Sequence, residues 1–130
     1  MADLAVGIRA MDTEHVKLLG LIDALIEQAR SAGPADRLIP AVEDLLKSLR
    51  AHFATETALM ERHGYDGRPA HESAHHAFLA ALEGLHANLS AAYTVPIDRK
   101  IELLIGDWLQ LHIEGYDAVL ARFLKEKGES

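Results

Sequence analysis

Apolar residues recur at the three-to-four-residue spacing of an amphipathic helix in four long stretches, and short segments carrying Gly, Pro, Ser and Asp separate them. A first helix beginning near Asp12, a candidate N-cap, presents Leu18, Leu19, Ile22, Leu25, Ile26 and Ala29 before Ser31-Ala32-Gly33-Pro34 stops it. Asp36 is placed to cap a second helix carrying Leu38, Val42, Leu45, Leu46, Leu49, Phe53, Leu59 and Met60, which ends at the turn-forming run from Gly64 to Pro69. The spacing predicts a third helix from about Ala70 to Ala92 and a loop around Tyr93 to Pro96. The last helix carries Ile101, Leu104, Ile105, Trp108, Leu109, Ile113, Tyr116 and Leu120, with Lys125 and Lys127 at its C-terminal end. Connections this short force successive helices to run antiparallel. The expected fold is therefore all-α, an up-down-up-down four-helix bundle, with Val6, Ile8 and Met11 as a short apolar N-terminal arm across it. At 130 residues, the chain is long enough for one core and not for two, so residues 1–130 are read as a single domain.

Charge and composition remove several classes of function. The formal net charge of -7 would repel a phosphate backbone, so nucleic acid is not expected as a partner. No apolar run reaches the roughly 18 to 20 residues that a spanning helix needs, and the N-terminus lacks the basic-then-apolar pattern of a signal peptide. A cytoplasmic protein without membrane insertion is the expectation. With no cysteine in the chain, disulfides, thiolate metal sites and cysteine nucleophiles are all excluded, and any metal must be held by nitrogen and oxygen. Histidine is the unusual component, with eight copies.

Five of those histidines share the phase of the apolar stripes. His52 lies three residues after Leu49 and seven after Leu45, with Glu56 one turn further on. His71 and His75 are one turn apart and in phase with Phe78, Leu82 and Leu85, so they can grip one metal ion. His15 shares its face with Leu18, Leu19 and Ile22, and His112 follows Trp108 by four and Leu109 by three. A single buried histidine is more often a hydrogen-bonded core residue than a ligand. Five on four helices, with a carboxylate among them, would cost several kcal/mol per unpaired group if nothing bound them. Imidazole with carboxylate and no thiolate suits iron, while zinc and manganese also accept such donors.

The order His15, then His52 with Glu56, then His71 with His75, then His112 with Asp117, resembles the ligand set of the hemerythrin family, bacterial single-domain members in particular. The flanks are similar too: Gly7-Ile8, Met11 to His15, His52-Phe53 through Leu59-Met60, Gly64-Tyr65, and Trp108-Leu109 before His112-Ile113. The resemblance implies that His71, His75 and His112 hold one iron and His15 and His52 the other. Glu56, Asp117 and an oxo or hydroxo group would bridge them, and dioxygen would bind at an open position on the two-histidine iron. Asp117 enters the set on this ground alone, since five residues on an ideal α-helix turn it about 140° away from His112. Leu109, Trp108, Phe53 and Ile113 are candidates for an apolar shield around the oxygen pocket, Leu109 by its family position. Two departures stand out. Glu14 replaces a glutamine frequent in bacterial relatives, Thr57 stands where a second acid is common, and neither residue is expected to touch a ligand. His63, His76 and His86 match no ligand position.

The function this implies is reversible dioxygen binding by a carrier, store or delivery protein, and not an enzyme. An alternative keeps the same site as an oxygen, redox or nitric oxide sensor. An oxygen-consuming enzyme or a signalling protein would be the partner. His71-Glu72-Ser73-Ala74-His75 also reads as the zinc metallopeptidase motif with Glu72 as general base, a remote alternative that leaves His15, His52, Glu56, His112 and Asp117 unexplained. Glu-x-x-His occurs at 72–75 and 83–86, but both copies fall on one helix, whereas ferritin-like di-iron enzymes need them on two.

Overall fold

The computed structural model describes residues 4–31, 35–89 and 101–130, and all regular structure among them is helical. Helix α1 spans Arg9–Arg30 and follows Ile8, whose backbone is extended. It starts a turn before the expected cap, because Asp12 does other work. Its carboxylate accepts hydrogen bonds from the amides of Val6 (2.7 Å) and Gly7 (3.0 Å), and so ties the N-terminal arm to the helix. Ile8 is buried as the arm reading requires, whereas Met11 lies within α1 itself. Ser31 leaves the helix in extended conformation, as the breaker run predicts.

A 3₁₀ turn, Ala35–Leu38, leads directly into α2 (Ile39–His63), with Pro40 in the first turn, where a missing N–H costs nothing. Asp36 lies within that turn and does not cap α2, which has no side-chain cap. The end of α2 follows from Gly64, whose φ of 62° only glycine adopts freely. Gly64 N–H bonds to Glu61 C=O (3.4 Å) and Tyr65 N–H to Met60 C=O (3.0 Å), which closes the helix with a Schellman motif. Helix α3 spans Arg68–Asn88, with Pro69 in its first turn. Its expected end at Ala92 and the Tyr93 to Pro96 loop lie outside the described residues.

Helix α4 covers residues 101–126 and is not a uniform α-helix. Two π-helical stretches, Glu102–Asp107 and Ile113–Asp117, alternate with α-helical Trp108–His112 and Ala118–Glu126, and the backbone stays helical at every junction. Helix α1 packs on α2 and α2 on α3, while α4 touches α3 and closes against α1, giving the four-helix bundle expected from the sequence.

The core divides in two. A large apolar cluster holds Leu18, Ile22, Leu45, Leu49, Phe53, Phe78, Leu82, Leu109 and Ile113 among others. A smaller one holds Ile8, Met11, Met60, Leu120, Ala121 and Leu124. On α1 the small cluster is reached at Met11 and the large one at Leu18, with His15 between; on α4 Asp117 lies between Ile113 and Leu120. Glu56 lies likewise between Phe53 and Met60 on α2. A polar layer is thus sandwiched between two dry ones.

Candidate metal centre

The polar layer consists of His15, His52, Glu56, His71, His75, His112 and Asp117, all buried, with Glu56 and Asp117 at 0% exposure. Each helix delivers its members by phase. His52 and Glu56 are one α-helical turn apart on α2, as are His71 and His75 on α3. His112 and Asp117 are five apart, and the π-helical stretch Ile113–Asp117 makes that spacing work. Its backbone bonds run i to i+5, so residues five apart stack on one face as residues four apart do in an α-helix. The angular objection to Asp117 is thereby removed.

The two carboxylates divide their oxygens. Glu56 Oε1 lies 2.9 Å from His71 Nε2 and 3.0 Å from His75 Nε2. Its Oε2 lies 2.7 Å from His52 Nε2 and 3.6 Å from His15 Nε2. Asp117 Oδ1 faces His71 Nε2 (3.0 Å) and His112 Nε2 (3.1 Å), while its Oδ2 faces His15 Nε2 (3.1 Å). Two donor sets result, each with ligand atoms within 4.8 Å of one another: Glu56, His71, His75, His112 and Asp117 form one, and His15, His52, Glu56 and Asp117 the other.

These contacts suit a metal better than they suit each other. His71 Nε2 to Glu56 and His75 Nε2 to His112 Nε2 (3.1 Å) are aligned as hydrogen bonds. His15 Nε2, His52 Nε2, Glu56 Oε2 and both Asp117 oxygens are buried without an aligned partner among the described residues. Orphaned polar atoms at such depth cost ~1–3 kcal/mol each. Lone pairs that converge on common points, and not on one another's protons, are what a bound cation satisfies. The residues present therefore fit two metal ions held by nitrogen and oxygen.

Electrostatics of the side-chain cluster follow from crowding. Burial opposes charge on His15 and His71, but contact with Asp117 and Glu56 outweighs it and raises each pKa from 6.5 to about 9. His52 moves in the same direction: burial opposes the charge and Glu56 prevails. His75 moves down, because burial and the nearby His71 and His112 outweigh Glu56. Burial pushes against ionisation of Glu56 and Asp117, yet the surrounding imidazoles hold both below the ordinary carboxylate range.

Of the apolar candidates, Leu109 and Ile113 are fully buried and Phe53 nearly so, while Trp108 is half-buried. Phe53 stacks on the His75 ring (3.8 Å between centroids, 9° between planes), and Trp108 stacks on His112 (4.6 Å, 11°). The two aromatic rings thus clamp imidazoles of the three-histidine set. The peptidase motif does not assemble as such. His71 and His75 belong to the five-donor group, and Glu72 is engaged by Arg68 Nε (3.0 Å) and the Thr57 hydroxyl (3.2 Å). His63 pairs with Glu129 (2.8 Å) and His86 with Glu43 (3.4 Å), and neither joins either donor group.

One expectation is corrected. Glu14 does touch a ligand position: its Oε1 lies 2.8 Å from His52 Nδ1, and its Oε2 accepts from the Thr55 hydroxyl at 3.0 Å. The contact crosses from α1 to α2, so no spacing within one helix reveals it. The available signal was a carboxylate three residues after Met11 and four before Leu18, at the edge of a buried stripe.

A profile of the Hemerythrin HHE cation binding domain matches residues 6–124. A bacteriohemerythrin from Pseudomonas paraeruginosa is 28% identical over 116 residues, covering 89% of this chain and 74% of the relative. Myohemerythrins from Sipunculus nudus and Riftia pachyptila are 34% and 30% identical, each covering 82% of this chain and 77% of the relative. No solved structure matches significantly. Among the described residues no helix is long and apolar enough to cross a membrane.

Proposed function

Because the chain belongs to the hemerythrin family, we propose that it binds dioxygen reversibly at a non-haem di-iron centre, as a carrier, store or delivery protein and not as a catalyst. One observation carries this reading: Glu56 and Asp117 each turn one oxygen toward His71 and its neighbours and the other toward His15. Carboxylates so divided are bridging ligands in waiting. His71, His75 and His112 would hold one iron and His15 and His52 the other, and the pair, joined by an oxo or hydroxo bridge, would supply the two electrons that reversible oxygen binding requires. The sets are unequal, five donors against four, so a metal pair held here would leave the two-histidine side one donor short, with room for an exogenous ligand. An all-nitrogen-and-oxygen, histidine-rich set suits iron that must change oxidation state.

The remaining residues keep the site dry and still. Leu109 and Ile113, at 0% and 1% exposure, exclude water and the protons it carries. Phe53 and Trp108 fix the planes of His75 and His112 by stacking. Leu109→Asn should leave about two irons per chain, yet speed irreversible loss of the oxygen-dependent absorption by roughly 10-fold or more, because it lets water into a formerly apolar wall. An unchanged decay rate would remove Leu109 from this role.

The test of the function is a metal count with visible spectra through one cycle of anaerobic reduction and re-exposure to air. About two irons per chain, with a charge-transfer band that appears with oxygen and vanishes under vacuum, is the expected result. Iron that oxidises once and never releases oxygen would replace this reading with a redox sensor or oxidase. A single colourless zinc would bring the peptidase reading forward.

A further inference from the structure

The two donor sets differ in more than size. His15, His71 and His112 have buried Nδ1 atoms with no protein partner among the described residues. His52 differs: its Nδ1 meets the Glu14 carboxylate at 2.8 Å, and the other Glu14 oxygen is held by Thr55 at 3.0 Å. His52 is 1% exposed and Glu14 33%, so the carboxylate forms a lid between the buried ring and solvent. Thr55 lies three residues beyond His52 on α2, and the pair gives Glu14, arriving from α1, a fixed two-point seat.

We propose that Glu14 is a positioning residue for the two-histidine metal: by accepting the Nδ1 proton of His52 it fixes the tautomer that aims Nε2 inward and makes this imidazole a stronger donor than its counterparts. This rests on the di-iron reading above. A carboxylate behind an imidazole pushes electron density onto the opposite nitrogen and adds negative charge near the metal, which favours the higher oxidation state there. The two sides of the centre then differ electronically as well as in donor number. The four-donor side, short of one ligand, holds the reinforced histidine. In a carrier this is the side where electron donation to an incoming ligand is needed. Glu14 also closes the α1–α2 seam over that side, so its two roles, electronic and steric, must be separated by experiment.

Glu14→Gln retains an oxygen that can accept from Nδ1 but loses the charge, and Glu14→Ala loses both. Removing such a partner typically weakens metal binding or activity about 10- to 100-fold. Challenged with a ferric chelator, Glu14→Ala is expected to release its first iron about 10- to 100-fold faster than wild type and its second at a rate near wild type, with Glu14→Gln intermediate. The reduction potential of the centre should shift positive in both variants. In zinc-loaded protein labelled with ¹⁵N-histidine, His52 should show a single Nδ1-protonated tautomer with a downfield proton in wild type and Glu14→Gln. That proton signal should be lost or moved upfield in Glu14→Ala. Thermal unfolding of the metal-free variants separates a packing effect, which would lower the midpoint and leave the potential alone. If potential, release rates and the His52 signal are the same in all three proteins, the inference falls. A wild-type protein that takes up fewer than two irons would instead overturn the functional reading beneath it.

Discussion

Glu56→Ala is expected to empty both metal positions at once, leaving iron near zero per chain after gel filtration, whereas His52→Ala should still retain about one. The difference lies in how the donors are shared. Glu56 Oε1 serves the group of His71, His75 and His112, and Oε2 serves His15 and His52, so one side chain belongs to both sets. His52 belongs to one set only, and its loss leaves the five-donor group complete. Glu56→Ala also strips His15, His52, His71 and His75 of the carboxylate that supports them, and removing one partner from a buried charge network costs ~3–5 kcal/mol. The metal-free variant should therefore unfold at a lower temperature than metal-free wild type, while circular dichroism still reports helix. Iron analysis decides the matter: a Glu56→Ala protein holding two irons would show that Glu56 does not bridge.

Stripping the metals from wild type should have the second largest effect, a fall in thermal midpoint of about 20–30 °C at neutral pH that grows as pH rises. Each ion bound at a concentration about 1,000-fold above its dissociation constant stabilises by about 4 kcal/mol. For a chain of this length each kcal/mol corresponds to roughly 3–4 °C. The pH dependence follows from the cluster. His15 and His71 are raised to about 9, so their contribution to metal-free stability is complete below 6.5 and lost as pH climbs through about 9. Glu56 and Asp117 are lowered, so their contribution is present above the ordinary carboxylate range and lost on acidification. The metal-free protein should be most stable in mildly acidic solution, between these limits. Metal ions need unprotonated imidazole, so loading near neutrality should expel protons from His15 and His71, and affinity should rise up to about pH 9. Melting curves with and without chelator across pH 6 to 9, with proton release measured in weak buffer, test this. A gap that stays constant or narrows with rising pH, or loading without proton release, would contradict it.

Much of the candidate site was legible because helical phase is a local property. His15, His52, Glu56, His71, His75 and His112 sit in register with Leu18, Leu49, Phe78 and Leu109, and a side chain in register with core residues is carried inward whatever the helix packs against. Gly64 ends α2 for an equally local reason, its left-handed backbone. The helix starts were less legible. Asp12 looked like an N-cap and instead reaches back to the amides of Val6 and Gly7, a choice fixed by where the arm runs. Asp36 was displaced from its expected role by a 3₁₀ turn that joins α2 without a side-chain cap.

The sequence by itself determined four helices and the inward turn of five histidines and Glu56, since these depend on the spacing of residues along a single helix. Only the tertiary structure decided the rest. It drew His112 and Asp117 together through a π-helical stretch, because an α-helix would hold them on different faces and α4 must meet three other helices at one polar layer. It divided the oxygens of Glu56 and Asp117 between two histidine groups, and it brought Glu14 of α1 against His52 of α2. Such contacts join residues far apart in the chain, and their geometry is set by how the helices dock, which no periodicity within one helix encodes.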